Sequence, residues 1–185
     1  HPGEEAMLFQ AYGRLRVDLP DLQLLVAPRR IERRGEIHTT ARAHGLNCRT
    51  RTGDGVQQGP VLILDTIGEL AGCYAMAEVV FIGGSLVAAG GHNPLEPAAA
   101  GVPVLFGPHM EDFAEIAAAL TACGGGRQVD SVDALTTALR DILADAELRR
   151  TMAAAAAACV RANSGVVEHH IEAVARLLAG STAHR

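Results

Sequence analysis

The segment Gly90-Gly91-His92-Asn93-Pro94-Leu95-Glu96-Pro97 holds the densest chemistry in the chain. Two glycines run into a helix start, where free backbone N–H groups and the helix dipole favour an anion. Asn93 is a side chain that caps such a start, and Pro94 suits the first helical position. Glu96 falls in the first turn. A carboxylate there suits the helix dipole, and beside an anion site it also fits the gripping of neutral hydroxyls such as those of a sugar. His92 is placed to donate to a phosphate or simply to occupy the turn, and the sequence leaves both readings open.

Three other loops carry unusual residues. In Phe81-Ile82-Gly83-Gly84-Ser85 the glycine pair follows an apolar run and lets backbone amides approach a ligand, with Ser85 adding a hydroxyl. A tight turn needs the same pair. Pro28-Arg29 closes another apolar run, and the planar guanidinium of Arg29 suits a phosphate or carboxylate. Asp65-Thr66-Ile67-Gly68-Glu69-Leu70 reads as helix initiation, with Thr66 as the cap and Glu69 at a capping-box position. His109, after Gly107-Pro108, is read as His92 is. No Ser-His-Asp arrangement appears, so hydrolase chemistry has little support. Cys48, Cys73, Cys123 and Cys159 make no CxxC pair and no zinc-spaced cluster with histidine, so no metal is expected. Cys73 and Cys159 fall in helical patterns and are read as small core residues.

These loops need strands and helices to hold them. Apolar spacing predicts a helix over Glu4 to Leu19, a strand over Leu22 to Ala27 and a helix over Ile31 to His44 that Gly45 stops. Strands are predicted at Leu46 to Arg51 and Val61 to Leu64, separated by a loop from Thr52 to Pro60. A helix from Thr66 to about Ala77, a strand from Val79 to Ile82 and a helix from Pro94 to about Ala100 follow. Then come a strand at Val102 to Phe106, a helix at Glu111 to Cys123, a short strand at Gly126 to Val129 and a helix at Ser131 to Ala144 capped by Ser131. Asp145 to Ala179 reads as a helical tail, broken near Asn163-Ser164-Gly165. Such alternation predicts an α/β fold, a Rossmann-like parallel sheet with helices on both faces. Ligands in such folds bind beyond the carboxyl ends of the strands, where Arg29, Asp65, Gly83 and Gly107 fall.

At 185 residues the chain suits a single domain, and 49% hydrophobic against 20% charged residues marks it as globular. A net charge of -5 leaves no broad basic field, so no nucleic-acid partner is expected. The arginines from Arg29 to Arg51 form a local basic stretch that reads mostly as a solvated helix face. No stretch is long and apolar enough to span a bilayer as a helix. The chain opens on His1 within what looks like a motif, and it is read as a fragment.

The ordered loops resemble a known family. Leu95 to Val104, a glutamate followed by a helix and Gly-Val-Pro-Val, resembles the nucleotide-sugar-binding segment of two-domain GT-B glycosyltransferases. The match narrows on His1-Pro2-Gly3-Glu4-Glu5, Pro28-Arg29, Asp65 to Leu70, Phe81 to Leu86, Gly90 to Pro97 and Phe106-Gly107-Pro108-His109. In that order they resemble the transferases of 3-deoxy-manno-octulosonic acid (Kdo). The resemblance implies the C-terminal half of a GT-B fold, with CMP-Kdo as donor, lipid A precursor as acceptor and no cofactor. It implies Arg29 at the CMP phosphate region, Glu96 on the ribose, and Ile67, Gly68 and Glu69 offering backbone contacts to cytosine. Gly84, Ser85, Gly91, His92 and Asn93 would complete the nucleotide and phosphate pocket. It also implies an inverting displacement, with the general base and the acceptor surface in an N-terminal domain outside this chain. The longer protein would work at the cytoplasmic face of the bacterial inner membrane.

Two residues depart from the family pattern. Arg30 stands where a histidine usually follows Pro-Arg, and Val87-Ala88-Ala89 replaces a loop that often carries a basic residue. Both bear on the donor grip. In the family a buried central strand precedes the segment matching His1, so the isolated chain is expected to be marginal or aggregation-prone. The competing readings are a GT-B transferase using a UDP- or GDP-sugar, a non-catalytic nucleotide-binding module and a sugar-nucleotide epimerase of the same architecture.

Overall fold

The computed structural model describes residues 1–53 and 59–162. The predicted tail beyond 162, its break at Asn163 to Gly165 and the middle of the Thr52–Pro60 loop lie outside the described residues. Six strands alternate with helices: α1 Glu4–Leu15, β1 Leu24–Val26, α2 Arg34–Ala43, β2 Cys48–Thr50, β3 Val61–Ile63, α3 Leu70–Tyr74, β4 Val80–Ile82, α4 Leu95–Ala99, β5 Val104–Phe106, α5 Ala114–Ala122, β6 Gly126–Gln128 and α6 Val132–Ala144. A last helix, α7, is described over 146–162. Short 3-10 turns, Ile31–Arg33 and Glu111–Phe113, lead into α2 and α5.

All strand pairings are parallel, as the alternation predicts, but they form two three-stranded sheets. One has the order β1-β3-β2, the other β4-β5-β6. In the first, Leu24 and Cys48 both lie opposite Val61; in the second, Val80 and Gly126 both lie opposite Val104. Among the described residues each sheet therefore has two edge strands, β1 and β2 in one and β4 and β6 in the other. Leu25, Val26 and Ala27 of the first and Phe81 and Gly83 of the second line one cavity of about 580 Å3.

Helix α1 joins the halves. Its Phe9 and Tyr12 pack with Val26, Ile37, Leu46 and Ile63 on the first sheet. Its Ala11 and Leu15, one helical face over, pack with Leu105, Leu135, Ile142 and Met152. The other face of the second sheet buries Ile82, Val104 and Phe106 against Leu120 and Ala156. The alanine run of α7 matters here: a Cβ on Gly125 would lie 2.5 Å from the Ala156 backbone, so small residues on both sides permit the contact.

Local chemistry sets several boundaries. Ser131 Oγ accepts from Ala134 N–H at 3.2 Å and starts α6 as expected. Asp145 Oδ1 accepts from Glu147 and Leu148 N–H at 2.9 and 3.0 Å, which separates α7 from α6. Gly45 and Gly101, at φ 72° and 73°, end α2 and α4. The helix expected from Thr66 begins only at Leu70. Glu69 stands at its cap without a side-chain capping bond, and the Thr66 hydroxyl is buried without a partner among the described residues, so no capping box forms. Cys73 is half-buried with its thiol on the Glu69 carbonyl, whereas Cys48 is the buried cysteine of the first core.

Candidate functional site

The turn after β4 is built around a carboxylate. With Gly84 at φ 75°, three successive amides point the same way, a geometry that receives an anion. The anion is Glu4, from the first turn of α1. Its Oε2 accepts from Gly84 N–H at 2.6 Å, and its Oε1 accepts from Ser85 and Leu86 N–H at 3.0 Å each. Glu4 is 3% exposed. Ser85 is fully buried; its hydroxyl donates to the Ile82 carbonyl at 2.5 Å and accepts from Gly107 N–H at 2.7 Å. The ligand amides expected of Gly84 and Ser85 thus face Glu4, and the Ser85 hydroxyl ties β4 to the loop after β5. The sequence set Glu4 too far from Gly84 for this pairing to be read from spacing.

The remaining loops lace onto this turn. Gly91 N–H donates to Gly84 O and His92 N–H to Gly83 O, both at 3.0 Å, while His109 N–H donates to Ser85 O at 2.9 Å. Gly91, at φ 74°, sits where a Cβ would come 2.5 Å from Met110 Sδ. Asn93 Oδ1 accepts from Leu95 N–H at 2.9 Å across a turn, but α4 starts at Leu95 with Pro94 as its cap, one residue later than expected, so Asn93 precedes the cap. That helix is five residues long, so its dipole is small.

His92 and Arg29 line the cavity between β1 and β4 together with His1. The Nε2 atoms of His1 and His92 are 3.0 Å apart, and the ring centres 5.0 Å. Burial, and then the positive charge of Arg29, push the His92 imidazole below its ordinary pKa, towards the neutral form. Among the described residues Arg29 and Arg30 have no carboxylate partner. Arg33, by contrast, donates to Glu5 at 2.6 Å and to Glu36 at 3.0 Å, and Arg34 reaches Asp65 at 3.5 Å. Of the four arginines that follow β1, Arg33 and Arg34 are thus paired with carboxylates, and among the described residues Arg29 and Arg30 are not.

Asp65 has a structural part. It is buried, and accepts from Thr52 N–H at 3.0 Å and Thr52 Oγ1 at 2.5 Å. Burial raises its pKa, but these bonds and Arg34 outweigh that and hold the carboxyl below the usual range. Ile67 is 89% exposed, Gly68 takes φ 86°, and the Glu69 carboxylate holds Arg51 at 2.8 Å. Glu96 is exposed and, among the described residues, hydrogen-bonds no side chain. Tyr74 of α3 lies near enough that burial first, and then the Glu96 charge, raise its hydroxyl pKa. Sequence reading missed Tyr74, which sits in no motif; its place beside Glu96 comes from α3 packing on α4.

Among the described residues no group of three or more His, Cys, Asp and Glu side chains is placed to hold a metal ion. No helix among them is long and apolar enough to cross a membrane.

No family model matches the chain. It is 36% identical over 179 residues to a 3-deoxy-D-manno-octulosonic acid transferase of Bordetella pertussis, covering 93% of this chain and 42% of that protein. It is 31% identical over 175 residues to the transferase of the same name from Haemophilus influenzae, covering 93% and 41%. The chain thus spans about two fifths of the length of the curated relatives it matches. Its fold matches the crystal structure of the C-terminal CMP-Kdo binding domain of WaaA from Acinetobacter baumannii, with a TM-score of 0.80 at 27% identity, over 86% of this chain and 84% of that one.

Proposed function

Since the chain belongs to the Kdo transferase family, we propose that it binds CMP-Kdo and forms the donor half of a longer enzyme that transfers Kdo to lipid A precursor. The observation that carries this reading is Arg29, an unpaired guanidinium that shares a cavity with His92 at the carboxyl ends of β1 and β4. A phosphate there meets a cation that no carboxylate among the described residues has neutralised. Glu96, exposed and without a side-chain partner, is suited to accept from ribose hydroxyls. Ile67, Gly68 and Glu69 are exposed residues, and there the base would find backbone contacts. Asn93, exposed next to His92, is placed to add a side-chain amide to the phosphate pocket.

In the transfer, the acceptor hydroxyl bonds to the anomeric carbon of Kdo. The bond from that carbon to the CMP phosphate oxygen breaks, and its electron pair stays on the phosphate. Arg29 stabilises that growing charge, and His92 donates a hydrogen bond to it. The hydroxyl proton passes to a base outside this chain. The longer enzyme would act at the cytoplasmic face of the inner membrane, where its acceptor lies.

The cavity between β1 and β4 also fits a further parallel strand. Leu25 pairs with Leu62 and Phe81 with Leu105 on their inner sides, and among the described residues the other edges of β1 and β4 carry no strand. We read this slot as the place of a strand from the longer protein.

Replacing Arg29 or Glu96 by Ala in the longer enzyme is expected to raise the donor KM by about tenfold or more, as loss of a charge-assisted contact does. Unaltered donor kinetics in both variants would refute the assignment.

A further inference from the structure

The geometry points to Glu4 as a positioning residue for the donor site: its carboxylate fills the amide turn of Gly84, Ser85 and Leu86 and thereby fixes the loops that present His92 and His109. The inference rests on the donor-site reading above, but its structural part stands apart from it.

The argument follows the hydrogen bonds. Three amides meet Glu4 at 2.6, 3.0 and 3.0 Å. With the N–H groups of Gly84, Ser85 and Leu86 turned inward, the same peptide units turn the carbonyls of Gly83, Gly84 and Ser85 to the neighbouring loops. Those carbonyls accept from His92, Gly91 and His109 N–H respectively. The Ser85 hydroxyl accepts from Gly107 N–H and draws in the loop after β5. Four hydrogen bonds to three residues of the turn thus carry the register of both neighbouring loops, and a single carboxylate sets their orientation.

Without Glu4, three donors, two buried and one half-buried, would lose their acceptor at once. Burial leaves them no water in exchange, so the turn must reorient. Its carbonyls would turn with it, and His92 would lose its place facing Arg29. Glu4 itself touches no reacting atom in this scheme; its effect passes through the backbone. Gly84 and Ser85 enter the site in the same indirect way.

The test uses Glu4→Ala, which removes a group the size and charge of acetate. Isotope-labelled chain is followed by NMR while sodium acetate is added, with sodium chloride as the ionic-strength control, and CMP affinity is measured alongside. Glu4→Ala is expected to weaken CMP binding by about tenfold or more, the scale of lost charge-assisted hydrogen bonds. Acetate should shift the Gly84, Ser85 and Leu86 amides saturably, return the Gly91, His92, Gly107 and His109 amides to their original positions and restore CMP binding. The unaltered chain should respond to neither salt. Full CMP affinity in Glu4→Ala, or amides that ignore acetate, would overturn the proposal. If Glu4→Ala does not fold, the isosteric Glu4→Gln is read instead: displaced Gly91 and His92 amides support the role, and undisturbed ones overturn it. If the unaltered chain binds no CMP, the donor-site reading fails, while the acetate response still decides whether Glu4 sets these loops.

Discussion

Gly107→Ala probes the packing on which the site depends. At this position the loop after β5 runs directly against the turn after β4. An added Cβ would lie 2.0 Å from the Ser85 carbonyl oxygen, 2.2 Å from its carbon and 2.5 Å from the Leu86 nitrogen. All three are backbone atoms, so no side chain can swing aside. Ordinary contact begins near 3.4 Å, and the two loops must part by about 1.4 Å in that direction. Forcing a packed region apart costs about 1–3 kcal/mol. The movement also breaks the Gly107 N–H bond to Ser85 Oγ and the His109 N–H bond to Ser85 O, each about 1 kcal/mol, for a total of about 3–5 kcal/mol. For a chain of this size the midpoint of thermal unfolding should fall by about 6–20 °C. Circular dichroism melting measures it. Gly13→Ala is the counterpart, because Gly13 lies inside α1 with nothing within 4 Å of the added carbon. That change should stabilise by about 0.5–1 kcal/mol. A Gly107→Ala chain melting within about 2 °C of its parent would refute the reasoning.

Three further outcomes follow from the same structure. Asp65 is held below the usual carboxylate range, so its contribution to stability is full above about pH 4 and is lost as pH falls through its lower folded value. Urea unfolding across acid pH should show a shallower acid loss for Asp65→Asn than for the parent, and equal slopes would contradict the assignment. His92 is depressed instead, so stability falls as pH drops below about 6.5, until the folded value is passed. NMR titration should find the His92 pKa below the ordinary value without nucleotide and raised when CMP binds; no movement with CMP would place the phosphate elsewhere. Finally, the open edges of β1 and β4 should make the 185-residue chain alone prone to association, with a longer form carrying the preceding strand monomeric and more stable. Light scattering and melting of the two forms compare them, and a sharp, reversible transition from a monomer of the short form would contradict this expectation.

The parallel α/β fold was readable because short apolar runs such as Val61 to Leu64 and Val102 to Phe106 alternate with amphipathic stretches. Gly45, Gly101 and Ser131 marked ends where the structure has them. Two things were not readable. The helix predicted from Thr66 begins at Leu70, because Gly68 takes a positive φ that a helix start there would not allow. The division into two sheets depends on which strands pair, and local pattern carries no information on that. Within the site, Arg29, His92 and Glu96 could be picked out by residue type at strand and helix ends. Residue type and position point the Ser85 hydroxyl at a ligand, and in the structure it lies between Ile82 and Gly107. Its partner carboxylate, Glu4, is 81 residues away in sequence, so only tertiary packing reveals the pairing.

Calorimetric titration of the folded chain with CMP, UMP and GMP tests the central claim most directly. The account predicts saturable binding of CMP in preference to the other two, and loss of that preference when Arg29 and Glu96 are both replaced by Ala. Preferential binding of UMP or GMP, or no nucleotide binding by a chain shown to be folded, would contradict it.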